Sequence, residues 1–246
     1  MRRVAAPLQR VAAPLLGAAL LLLPEASARA QESRVDSVAR ACLASDTATR
    51  WQEVARAGSV WAGRPASNDS LHDVLLELRK RDQALRTVAG LADSMESSAF
   101  RSRLLSTDYA DATALTRIVD LYGWPTPELV GTDGAEAAWL VVQHNPSLQR
   151  PMLAKMLALP PGSVSPSNLA LLRDRVLTSE GKPQLYGTQI RLAAQGGAST
   201  FYPIADLAHL DERRAEAGLF PFDTYLCLLR GMYEREVVDP RRGRRR

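Results

Sequence analysis

A histidine, an Asp-Arg pair and a run of glutamine, tyrosine and threonine are the side chains of this 246-residue chain best suited to chemistry. His144 closes the apolar stretch GAEAAWLVVQH, residues 134–144. An imidazole titrates near neutrality, so it can serve as an acid or a base; it can equally bond the last carbonyls of its helix as a cap. Asp174 and Arg175 lie in SNLALLRDRVLTS, a helix with apolar residues on more than one side, so both charges are expected to be partly buried. A buried charge is costly unless paired. The two are either structural partners of groups such as Asp82, Arg86 or Arg214, or part of a cleft. In QLYGTQ, residues 184–189, strand-like alternation puts Gln184, Tyr186 and Thr188 on one face. Gln189 falls on the other face unless Gly187 introduces a bulge. That face is a neutral array of donors and acceptors suited to sugars, amides or peptide groups; its other reading is that it ties helix ends to a hairpin. Gln143 and Arg214 complete the candidate ligand-binding residues.

These residues support three readings. The first is a secreted or periplasmic binding or interaction domain, with a polar cleft lined by His144, Asp174, Arg175, Gln184, Tyr186 and Gln189; it is favoured because no nucleophile is recognisable. The second is a hydrolase- or lyase-type enzyme, in which His144 moves the proton, Asp174 orients it or shares the transfer, and Arg175 with Tyr186 stabilises an anionic intermediate. The third is a structural helical scaffold. The expected ligand is a polar small molecule, sugar or peptide. His72, His144 and His209 are isolated, and no His-x-x-x-His or Cys-x-x-Cys spacing offers zinc a site. The chain has no Gly-x-Ser-x-Gly elbow, phosphate loop or dinucleotide fingerprint. No metal or cofactor is expected.

The elements that must position these groups are mostly helices. Leu71, Val74, Leu75 and Leu78 form one stripe after a capping signal at Asn68–Ser70. A second helix is predicted from about Asp108 to Tyr122, stopped by Gly123 and Pro125, and a third over 134–144. Asn145–Pro146 and Ser165–Pro166 read as N-cap and first helical position of two more. Helices follow near 211–217 and 221–236. Only between 184 and 204 does the period change, so the fold class is mainly α, a multi-helix bundle with one small β-hairpin.

In this order, DQALR (82–86), GWP (123–125), QH (143–144), DRV (174–176), QLYGTQ (184–189) and RRAEAGL (213–219) resemble an uncharacterised bacterial family, a domain of unknown function. Its most specific mark is the Gln-x-Tyr-Gly-Thr-Gln word after an Asp-Arg helix. The resemblance covers about residues 70–230 and implies positions to watch, not a reaction.

The ends carry other signals. MRRVAAPLQR, an apolar run to Pro24 and ASARA read as a secretory signal over residues 1–30. The run is too short and too interrupted to span a membrane. Export to the periplasm or outside is therefore expected, with a mature chain beginning at Gln31 and no transmembrane segment. A helical extension and linker (31–68), the main domain (69–236) and a basic disordered tail (237–246) follow. The formal charge of +4 drops to +1 without the signal, and the arginines of RRGRRR account for more than that remainder. The body thus lacks the basic surplus of a nucleic-acid binder. In an oxidising compartment Cys42 and Cys227 could pair, but spacing leaves the bridge open.

Overall fold

The computed structural model describes residues 37–38, 40–43, 66–86, 97–193, 197–233 and 236–242. The expected signal segment, most of the expected extension and linker (31–68) and residues 243–246 lie outside the described residues.

Helix α1 (Asp69–Arg86) starts where Asn68 accepts the Leu71 N–H at 3.0 Å, an N-cap bond. Its buried stripe is Leu71, Leu75, Leu78, Asp82 and Leu85. Val74, expected in that stripe, is 48% exposed, because the alternating four- and three-residue steps leave it to one side. Helix α2 (Ser98–Tyr122) begins well before Asp108, capped by the Ser97 hydroxyl, and ends at Gly123 with φ 76°. Helix α3 (Pro127–His144) is also longer than expected: Pro127 opens it, and Gly131, at φ 72° and ψ 166°, kinks it. Helices α4 (Pro146–Leu157) and α5 (Pro166–Ser179) follow. Asn145 does not cap α4 with its side chain; its amide donates instead to the Val141 carbonyl at 2.8 Å and closes α3. These five helices share one core, built on Leu75, Leu115, Val130, Val141, Met156 and Leu172.

Strands β1 (Ile190–Arg191) and β2 (Thr200–Phe201) pair antiparallel, Ile190 opposite Phe201. Helices α6 (Leu210–Glu216) and α7 (Phe222–Tyr233) complete the chain. A second core gathers Phe201, Leu210, Phe222, Tyr225, Leu226 and Val237 beneath the hairpin. The architecture is mainly helical with one small hairpin, as the change of period indicated.

The alternation read over 184–189 does not form a strand, and the segment curls. The tail boundary also moves. Val237 is fully buried, its carbonyl takes the Arg230 guanidinium at 2.7 Å, and the Val238 N–H bonds to Ser199 at 2.9 Å. Arg241 pairs with Asp239 at 2.9 Å and with Asp223, so residues 237–242 are tied to the body by burial and charge. Cys42 and Cys227 are joined in a disulfide, and Cys42 packs with Phe220 and Leu228. Among the described residues no helix is long and apolar enough to cross a membrane.

Candidate functional site

Asp82 stands on the apolar stripe of α1 and is only 1% exposed. Such a carboxylate has to be compensated within the protein. Its Oδ1 accepts from Arg86 Nη1 at 2.6 Å, one helical turn on, and its Oδ2 from Gln83 Nε2 at 2.7 Å. His144, the last residue of α3, places Nδ1 at 2.9 and 2.8 Å from the two oxygens. Arg86 reaches on to Asp108 of α2 at 2.7 Å, so Arg86 and Asp82 together tie α1 to α2 and to α3. Because an ionised carboxylate only accepts, the proton of neutral His144 is held on Nδ1. Nε2 makes no hydrogen bond among the described residues, and the ring remains 11% exposed.

Beside this dyad, Arg81 pairs with Asp111 Oδ1, while the buried Oδ2 of Asp111 has no partner. Burial raises the Asp111 pKa above the ordinary carboxylate value; Arg81 opposes the rise, and the charges of Asp82 and Asp108 add to it.

The second polar centre belongs to the glutamine-rich word. Asp174 on α5 is fully buried and accepts from the Leu185 N–H at 2.7 Å, Tyr186 N–H at 3.1 Å, and Thr188 N–H and hydroxyl, both at 3.0 Å. On an extended strand successive N–H groups point in opposite directions. For three of them to reach one carboxylate the chain must curl, and Gly187 supplies the left-handed residue at φ 65°. Burial raises the Asp174 pKa, against the lowering effect of these bonds. Gln184 braces the curl by accepting the Gln189 N–H at 2.8 Å and donating to the Gln189 carbonyl at 2.9 Å. Gln189 in turn donates to the Thr188 hydroxyl at 3.1 Å.

Arg214 of α6, 1% exposed, donates to the carbonyls of Phe220 and Tyr186 and lies 4.7 Å from the centroid of the Tyr225 ring. Burial lowers its pKa to about 10. Tyr225, whose hydroxyl donates to the Thr188 carbonyl at 2.9 Å, is pushed up to about 12, again by burial.

The expected site residues therefore separate into two kinds. Asp174, Gln184, Thr188, Gln189 and Arg214 are engaged in holding the curl to α5, α6 and α7. His144 Nε2, the Arg175 guanidinium, the Tyr186 hydroxyl and the Gln143 side-chain amide make no hydrogen bond among the described residues. The carboxylate that orients His144 is Asp82 and not Asp174, whose two oxygens are taken by the 185–188 backbone. The possibility that His144 caps its own helix is likewise replaced by this hydrogen bond to Asp82. Asp82, Arg86 and Asp108 were not among the candidate site residues, although an aspartate among leucines at positions 71, 75, 78 and 85 is a visible signal.

No hydrogen bond joins His144 to Asp174, yet the two centres occupy the same end of the bundle. Helix α4 starts directly after His144, and Arg150 in its second turn pairs with Glu180, the C-cap of α5. The C-terminal end of α5 is thereby tied to the first turns of α4, which follows directly on α3. Arg175 is set back from Glu180 by about 7.5 Å along the axis, at 1.5 Å per residue.

No curated protein and no solved structure matches this chain. Its residues 69–238 match a family of unknown function, DUF6624, which spans α1 to α7 and includes both polar centres. By that match over most of its length, the chain is a member of the DUF6624 family.

Proposed function

We propose that this chain is an exported acid–base enzyme of hydrolase or lyase type, with His144 as its proton carrier and a polar small molecule, sugar or peptide as its substrate. The observation that carries the reading is the His144–Asp82 pair. A buried carboxylate, itself fixed by Arg86 and Gln83, holds Nδ1 and leaves Nε2 as the one ring nitrogen able to take or give a proton. Asp82 selects the tautomer and stabilises the imidazolium that forms when Nε2 accepts a proton. Arg175, Tyr186 and Gln143, on neighbouring helix ends and the curl, are the groups with capacity left to orient a substrate or meet developing negative charge. No hydroxyl or thiol bonds to His144 among the described residues, so the proton passes directly to or from water or substrate. The Cys42–Cys227 bridge supports export, since such bonds persist in oxidising compartments.

The test is a screen of the oxidised mature chain against chromogenic glycosides, peptides, esters and elimination substrates, with His144→Gln as the matched control. Turnover should fall by about 10²–10⁴ in that variant, the usual reach of one acid–base group, with circular dichroism unchanged. Equal turnover in the two proteins would exclude His144 as the proton carrier. The second reading, a binding domain, is favoured by the pairing of Asp82 and Asp108 with Arg86, which leaves neutral and cationic donors to face a ligand. It predicts ligand retention without turnover in the wild type.

A further inference from the structure

Arg175 is the exception among the arginines that are at least partly buried. Arg86, Arg213, Arg214, Arg230 and Arg241, each at least partly buried, donate to carboxylates or carbonyls, and Arg79 lies within the field of Glu136. Arg175, partly buried on α5, makes no hydrogen bond or ion pair among the described residues. Among the described residues, the ionisable groups that act on it are the phenols of Tyr225 and Tyr233, with no carboxylate among them. Its neighbour Asp174 is committed to the Leu185, Tyr186 and Thr188 amides and does not serve it. Partial burial accordingly lowers the Arg175 pKa, with no counter-charge among the described residues to oppose it.

We propose that Arg175 is the anion-recognition group of the site, and that the substrate carries a fixed oxyanion, a carboxylate or a phosphate, which pairs with its guanidinium. The inference rests on the acid–base reading only for placing the rest of the substrate at His144. A guanidinium presents its N–H donors as a planar fork, which suits the two oxygens of either anion. Bound there, the anion would supply the counter-charge that the protein withholds, and it would anchor the substrate at the end of the bundle where His144 Nε2 is open.

The experiment follows the Arg175 Nε–Hε resonance of the oxidised mature chain by NMR while inorganic phosphate or malonate replaces chloride at constant ionic strength. A saturable shift is expected with at least one of the two, and which one identifies the anion. In Arg175→Gln, affinity read from backbone amides of 176–189 should weaken by about tenfold or more, the scale of a lost charge-assisted pair. Arg175→Lys should retain part of it, and Arg173→Gln, on the exposed side of α5, all of it. His144→Gln should bind the anion as the wild type does, so failure of the acid–base reading leaves this result unchanged. No saturable shift with either anion, or equal affinity in wild type and a folded Arg175→Gln, overturns the proposal.

Discussion

Asp111 shows how one residue can report the electrostatic state around the His144–Asp82 pair. Its carboxyl is almost fully buried, one oxygen is paired with Arg81, and the other has no partner. Burial outweighs the pairing and raises its pKa in the fold. The folded chain therefore holds that proton more tightly than the unfolded chain does, and ionisation works against the fold as pH rises. Stability linked to Asp111 is greatest below the unfolded carboxylate value of about 3.9 and is lost as pH rises through the folded value. Asp111→Asn cannot ionise. It should be more stable than the wild type at pH 7, by about 1 kcal/mol, the scale of one orphaned polar atom, and the gap should close as pH falls towards 4. Urea unfolding of both proteins at several pH values measures this. A variant that is less stable at pH 7 than the wild type would mean that the Arg81 pair dominates.

The curl between α5 and β1 is the element on which the arrangement of the second centre depends. Asp174 holds three backbone donors and one hydroxyl that have no helix or sheet partner of their own. Asp174→Asn keeps one acceptor but turns an NH₂ towards the Thr188 N–H. One backbone donor is then orphaned, at a cost of about 1–3 kcal/mol even though a buried charge is removed. Hydrogen exchange should show the same event locally, as lost protection at Tyr186 and Thr188. An Asp174→Asn protein with wild-type stability and protected amides would rule out this anchoring role. Gly187 has no comparable substitute: at φ 65°, an added Cβ would lie 3.0 Å from both Ile204 Cδ1 and Phe222 Cε2.

At the scale of the molecule, the disulfide ties the N-terminal segment to α7 across 185 residues. Val38 lies against Gly231, and Cys42 sits with Phe220 and Leu228, in a contact cluster separate from the α1–α5 core. Closing so long a loop is worth up to about 5 kcal/mol in the chain-entropy model. Cys42→Ser should therefore lower unfolding stability by about 2–5 kcal/mol, while the helical circular dichroism and the His144–Asp82 pair persist. Two reactive thiols in unreduced protein recovered after export, or an unchanged denaturation midpoint in Cys42→Ser, would contradict a structural role for the bridge.

Much of the fold was legible in the sequence because it depends on local physics. Gly123 stopping α2, prolines at the starts of α4 and α5, and leucines at helical spacing each act within a turn or two of chain. The same spacing put an aspartate among the leucines of α1, so a buried charge at Asp82 was readable there, though its partner was not. Tertiary structure decided the pairings. His144 meets Asp82 across 62 residues, Cys42 meets Cys227 across 185, and the 184–189 segment abandons its strand-like alternation. In each case the outcome depends on which buried polar groups packing brings within bonding distance. Periodicity along the chain records which face is buried, and carries no information about the distant group that face will meet.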